Sequence, residues 1–220
     1  MLALIERGGP IMWFILAGSL IAVIIFFERF LSLHRTHIKT DDFLKGIYNI
    51  LKKGNFVEAI SICEETPGPV AHIVRTAVLY HDKSREEMRR MVVESGREEI
   101  PRLERNLAML ATIGKITPLL GLLGTIIGMI SSLIIIDQKA PLIHSGDLAS
   151  GLWQALISTA AGLVVAIPTY AGYNLLITRI ETIVLDMERA ASDIVSFFTT
   201  NLLHKTPMVK KREPDRAAHI

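Results

Sequence analysis

Apolar residues follow two rhythms along this chain. In three long runs, Gly8–Phe27, Ile116–Ile136 and Leu148–Thr178, no charge interrupts them; elsewhere they recur three and four residues apart among charged neighbours. The uninterrupted runs predict helices that are apolar all round, and the periodic stretches predict amphipathic helices. The second run has 21 residues and the third 31. A helix of about 20 residues crosses a hydrocarbon core of roughly 30 Å. The second run therefore fits a bilayer, and the third must tilt or project beyond it. The first run reads as a permanent span rather than a cleaved signal. Little positive charge precedes it, and Phe26-Phe27-Glu28-Arg29 stands where small residues would mark cleavage.

Small and hydroxyl residues are ordered inside the second and third runs. Gly121, Thr125, Gly128 and Ser132 follow at spacings of four, three and four, so they share one helical face. Gly124-x-x-x-Gly128 adds a place for close backbone approach. In the third run Gly151, Ala155, Ser158, Gly162 and Ala166 form a matching stripe, with Gln154 and Thr159 beside it. Pro118 and Pro168 each remove one hydrogen bond from the helical ladder. A helix-packing groove accounts for such stripes by itself; a polar pathway is the sharper reading. Counting from the ends of the two uncharged runs places Thr125 and Thr159 both near the membrane midplane, with Gln154 further outward. On the same count Lys115 sits at the inner boundary, where its ammonium can snorkel.

The remaining segments complete the organisation. Residues 1–9 form a short outward N-terminus and 10–30 the first transmembrane helix, with Pro10 at its start and Trp13 as an interfacial anchor. Residues 31–83 form a helical insert. Asp41 and Asp42 cap a helix carrying Phe43, Ile47, Ile50 and Leu51 and stopped by Gly54-Asn55. A second helix holds Val57, Ile60 and Ile62, and a third runs from about Val70 to Leu79. Ser84-x-x-Glu87 is a capping box that opens one long helix over 84–136, bent near Pro101 or Pro118. Residues 137–147 form an outward loop, 148–200 the third span with a cytoplasmic extension, and 201–220 a disordered tail. The predicted fold is an all-α integral membrane protein with three transmembrane helices. Its long second and third helices extend into a cytoplasmic helical domain.

Charge sets the orientation. Fourteen Lys and Arg lie between Arg29 and Arg105 and seven from Arg179 to Arg216, against Arg7 alone in residues 1–9 and Lys139 alone in residues 137–147. The insert and the C-terminus therefore face the cytoplasm, and the N-terminus faces outward.

Composition narrows the chemistry. Half of the residues are hydrophobic and the net charge is +2, too small to argue for nucleic acid. The single cysteine, Cys63, excludes an internal disulfide and reads as a packed core residue. All seven histidines lie outside the three runs, so an intramembrane hydrolase lacks its base and no enzyme is expected. His34 and His37 share a helical face, but a solvated juxtamembrane pair accounts for them better than a metal site. No metal and no cofactor are expected. The charged stretch Arg85–Glu99 reads as a solvated helix face, with subunit contact as the alternative.

Two segments together resemble a known family. Thr117-Pro118-Leu119-Leu120-Gly121-Leu122-Leu123-Gly124-Thr125-Ile126-Ile127-Gly128 is one. The other is Gly151-Leu152-Trp153-Gln154-Ala155-Leu156-Ile157-Ser158-Thr159-Ala160-Ala161-Gly162-Leu163, followed by Ala166-Ile167-Pro168. They resemble the ExbB/TolQ family of ring-forming subunits in ion-driven motors of bacterial inner membranes, related more distantly to MotA. The resemblance implies a homo-pentamer around single-span helices of the ExbD/TolR type, whose aspartate carries the ion. It implies a TonB/TolA-like protein as a further partner, and an ion pathway lined by Thr125, Thr159, Gln154 and Ser158. Gly121, Gly124, Gly128, Gly151, Gly162, Pro118 and Pro168 would then serve helix packing. Many family members carry a glutamate where Gln154 stands. The resemblance implies proton conduction coupled to envelope transport or integrity, and a non-conducting oligomeric scaffold in the membrane remains the alternative.

Overall fold

The computed structural model describes residues 8–36, 40–139 and 145–205. They form seven helices: α1 Ile11–Thr36, α2 Thr40–Lys52, α3 Phe56–Glu65, α4 Pro69–Leu79, α5 Arg85–Glu104, α6 Leu107–Lys139 and α7 Ser145–Lys205. There is no strand among the described residues. Three stretches are long and apolar enough to cross a membrane: Ile11–Leu33, Leu107–Gln138 and Ala149–Thr200. The chain is an all-α integral membrane protein.

Local chemistry sets the ends of these helices. Gly54 closes α2 in the left-handed region, φ +82°, which glycine enters without a Cβ penalty. Pro69 takes the first turn of α4, where its missing N–H costs nothing. At α5 the Glu87 N–H donates to Ser84 Oγ at 3.3 Å, and the Ser84 N–H donates to Glu87 Oε2 at 3.3 Å. This reciprocal pair satisfies two donors that a helix start leaves open. The long helix anticipated over residues 84–136 is interrupted, at neither proline. Asn106 takes φ +64° between α5 and α6. Asparagine is among the few residues that tolerate this conformation, and it ends the α5 ladder. Pro101, Pro118 and Pro168 all lie inside continuous helix.

Two compact units result. One comprises α1, the end of α5 from Glu98, α6, and α7 as far as Leu185; the other comprises α2, α3, α4, α5 as far as Arg97, and α7 from Asp186. The second unit is an amphipathic helical cluster. Its buried residues include Leu44, Ile47, Val74, Val78, Met88, Val92 and Ile194. α3 turns Ala59 and Cys63 inward and leaves Val57 at the surface. Burial pushes the Cys63 thiol up to about 11, the nearby Arg75 opposing and Glu64 adding. Phe56 stacks on His81 with centroids 4.2 Å apart, and Tyr48 stacks on Phe197 at 4.8 Å.

In the first unit, α1 buries Ile15, Ala22 and Ile25 and exposes Phe14, Leu20, Ile24 and Phe27. At one end, Arg105 Nη2 lies 3.5 Å from Glu28 Oε1, and the buried Arg29 brings its own Nη2 to 4.0 Å from the same oxygen. His37, the N-terminal Met1–Arg7, residues 140–144 of the loop read as outward and the tail from Thr206 lie outside the described residues.

Candidate functional site

The site rests on the seam between α6 and α7, which the glycines make possible. A methyl group on Gly128 would lie 2.6 Å from the Gly151 carbonyl oxygen and 2.9 Å from the Ala155 nitrogen. One on Gly151 would run into Ser132 Oγ, and one on Gly124 into Ser158 Oγ. One on Gly162 would sit 2.9 Å from the Thr117 carbonyl oxygen. Backbone meets backbone along this seam, as expected where helices associate in lipid by close packing. The stripes read from the sequence therefore face each other within one chain.

Close approach at Gly121 gathers the hydroxyls. A methyl group there would lie 3.0 Å from the Ser158 carbonyl oxygen and 3.2 Å from Thr159 Cα. Without it, Thr159 Oγ1 donates across the seam to the Gly121 carbonyl at 3.2 Å. Ser158, fully buried, donates to Ala155 O at 2.9 Å and reaches the same Gly121 oxygen at 3.5 Å. Thr125, on the next turn of α6, donates to Leu122 O of its own helix at 2.5 Å. Thr125 and Thr159 are half-buried.

A hydroxyl owns one hydrogen and two acceptor lone pairs. Thr125 and Thr159 have already committed their hydrogens to carbonyls, so what they offer a visitor is acceptor capacity. A protonated carboxyl group or a water molecule can donate to them. An ionised carboxylate would first have to displace a backbone bond.

The other residues read as pathway or packing positions are spread along the seam. Gln154 lies against Gly9, where an added methyl group would come within 3.1 Å of its Cδ and run into Nε2. Gly9 holds φ +73°, so this turn both bends and admits the glutamine. Pro118 deprives the Gly114 carbonyl of its usual partner and Pro168 that of Val164. Beside them, Thr117 Oγ1 donates to Ile113 O at 2.6 Å and Thr169 Oγ1 to Val165 O at 2.7 Å.

The packing register gives a depth scale that run lengths do not. α1 and α6 are antiparallel, and Gly18 meets Ile113, Ile11 meets Gly124 and Glu28 meets Arg105. Partner numbers thus add to between 131 and 135. Thr125 is then level with about Gly8, at the start of α1. Ile157 packs at Gly8 and Gln154 at Gly9, which places Thr159 within about a turn of the same level. The hydroxyls therefore stand beside the first turn of α1, not its middle. Lys115, read as a boundary residue, is level with Gly18. The apolar helix that holds Lys115 begins eight residues before it, at Leu107.

The chain was compared with known proteins. The profile of the MotA/TolQ/ExbB proton channel family matches residues 65–189. An ExbB homolog of Methanothermobacter thermautotrophicus is 27% identical over 181 residues, covering 82% of this chain and 64% of that protein. The biopolymer transport protein ExbB of Aquifex aeolicus is 37% identical over 86 residues, 39% of this chain and 57% of its own length. That of Pseudomonas putida is 32% identical over 178 residues, 74% of this chain and 52% of its own. The chain thus matches between about half and two thirds of the length of these relatives.

Proposed function

The chain belongs to the MotA/TolQ/ExbB proton channel family, and we propose that it is the ring-forming subunit of an inner-membrane, ion-driven motor. In this reading a homo-pentamer conducts protons with a single-span, ExbD/TolR-like partner, and the flow energises envelope transport or integrity through a TonB/TolA-like protein. The ExbB relatives support the assignment by their names. The distribution of Lys and Arg supports an outward, periplasmic N-terminus and a cytoplasmic C-terminus.

The observation that carries the mechanism is that Thr159 donates to the Gly121 carbonyl and Thr125, one turn on, to Leu122 O, so both hydroxyls keep acceptor lone pairs for a visitor. The three uncharged runs contain no carboxylate, so a carboxyl group that moves the proton must come from the partner helix. In a low-dielectric site, hydrogen bonds to its neutral form favour that form. The threonines then act as a station where the partner's carboxyl is held protonated between loading and release. Ser158 and Gly121 keep Thr159 in place.

The test replaces Thr125 or Thr159 with valine, which keeps the shape and removes the hydroxyl. Proteoliposomes would contain the chain together with a single-span protein of the ExbD/TolR type, and proton influx would be read with a pH-sensitive dye. A lost hydrogen bond of about 1 kcal/mol corresponds to roughly fivefold slower influx. Full influx from both valine variants, assembled like the unsubstituted chain, would defeat the mechanism. No influx from the unsubstituted complex would favour the non-conducting scaffold.

A further inference from the structure

The second unit holds an open groove of about 430 Å³ between α2 and α7, lined by Tyr48, Lys52, Asp193, Ser196, Phe197 and Thr200. That volume lies within the range of small-molecule sites, roughly 300–1,000 Å³. Helical spacing brings these residues together. Tyr48 and Lys52 stand one turn apart on α2. Asp193, Ser196, Phe197 and Thr200 follow at steps of three, one and three on α7, so each set shares a face. The rings of Tyr48 and Phe197, stacked with centroids 4.8 Å apart, form an apolar wall.

Around that wall the polar groups are unspent. Lys52 brings an ammonium from the last turn of α2, and Asp193 brings a carboxylate from α7. Neither has an ion-pair partner among the described residues, so the two charges line one groove without meeting. The Tyr48 hydroxyl is buried with no partner. Thr200 gives its hydrogen to Ser196 O at 3.0 Å and keeps its acceptor lone pairs. An exposed lysine or aspartate alone calls for no ligand, because water serves it. Here both charges flank an aromatic wall and a hydroxyl that water does not reach.

A ligand that suits the whole set carries both charges and an apolar body. An anion alone would meet Lys52 and face Asp193, and a cation alone would do the reverse. We propose that the groove binds a zwitterionic small molecule, an α-amino acid with an apolar side chain. Its carboxylate accepts from Lys52, its ammonium donates to Asp193 and to the Thr200 hydroxyl oxygen, and its side chain lies along Tyr48 and Phe197. Every lining residue belongs to the second unit. The site therefore shares nothing with the hydroxyls of the α6–α7 seam, and the proposal stands whether or not the chain conducts protons.

The probes are L-phenylalanine, phenethylamine, which lacks the carboxylate, and 3-phenylpropanoate, which lacks the ammonium. Each would be titrated by calorimetry into the full-length chain in neutral-detergent micelles at pH 7. Phenylalanine should bind about tenfold tighter than either analogue, the difference made by one charge-assisted hydrogen bond. Lys52→Met should erase its advantage over phenethylamine and keep that over 3-phenylpropanoate; Asp193→Asn should do the opposite. Equal binding of the three probes would overturn the proposal, since apolar contact or the micelle would then account for it. No binding of phenylalanine at about 10 mM, weaker than any specific site of this kind, would overturn it as well. So would an advantage that survives both substitutions, the amino acid then being held elsewhere. Both side chains are exposed, so the variants should keep their helical circular dichroism; if one does not, the selective loss in the other decides alone.

Discussion

Gly128→Ala tests whether the α6–α7 seam holds the chain together, because the intruding methyl group has nowhere to go. It would stand 2.6 Å from the Gly151 carbonyl oxygen and 3.1 Å from Ala155 Cβ. Carbon and carbonyl oxygen settle at about 3.3 Å or more, so α7 must retreat by roughly 0.7 Å. A gap of that size forfeits a quarter to a half of each dispersion contact it opens. The obstacle is backbone on both sides, so no side chain can swing away. Overpacking of this kind costs about 1–3 kcal/mol, more than the gain of up to about 1 kcal/mol that alanine brings to a helix interior. The net expectation is a loss of about 1–2 kcal/mol.

The control is Gly46→Ala in α2, where an added methyl group meets nothing within 4 Å. There only the propensity gain remains, so the sign should reverse, by up to about 1 kcal/mol of stabilisation. Both variants would be unfolded as full-length chain by SDS titration in mixed micelles, followed by circular dichroism. A Gly128→Ala chain as stable as the unsubstituted one would show that the seam yields freely. The close-approach account would then fail for Gly121 and Gly162 as well. An oligomer assay alone would be ambiguous, because the same glycine packs helices within one chain.

Two further expectations concern the regions outside the spans. A reporter fused at Lys83 should read the cytoplasm and one at Ser145 the outer side; the reverse would overturn the orientation and the direction of proton flow with it. Tyr48, stacked on Phe197 with its hydroxyl buried and unbonded, has its pKa pushed from 10.0 up to about 12, by burial first and by Asp193 second. A raised pKa means that the folded state holds its proton longer. The contribution is complete below pH 10 and is lost as pH rises from about 10 toward 12. Tyr48→Phe should be neutral or slightly stabilising at pH 7 and should flatten the alkaline loss. Parallel melting curves for both proteins from pH 9 to 12 would contradict the assignment.

The helices were legible in the sequence wherever one local signal dominates. Gly54 stops α2, Pro69 starts α4, and Ser84 with Glu87 caps α5, each through chemistry confined to a few residues. The break at Asn106 was not. Asparagine enters the left-handed region only in some contexts, and the apolar positions Leu103, Leu107 and Leu110 keep helical spacing straight through it. Periodicity reports which face is buried; it does not report one residue that reverses the sign of φ. Pro101 and Pro118 drew attention because a proline always costs a hydrogen bond, yet both helices absorb that cost and continue.

At the site, the residue types were legible and their level beside α1 was not. The stripes of Gly, Ala, Ser and Thr follow from spacing alone, and the seam sets Gly121 against Ser158, Thr159 and Gly162. Depth is a relation among three helices, and each run taken alone has ends set by its own nearest charge. For α6 that charge is Lys115, which shortens the run by eight residues relative to Leu107 and pushes its apparent centre outward. Only the contact of Glu28 with Arg105 and that of Gly18 with Ile113 show that α6 remains beside α1 below Lys115. With α1 as the ruler, Thr125 stands level with its start and Lys115 with Gly18.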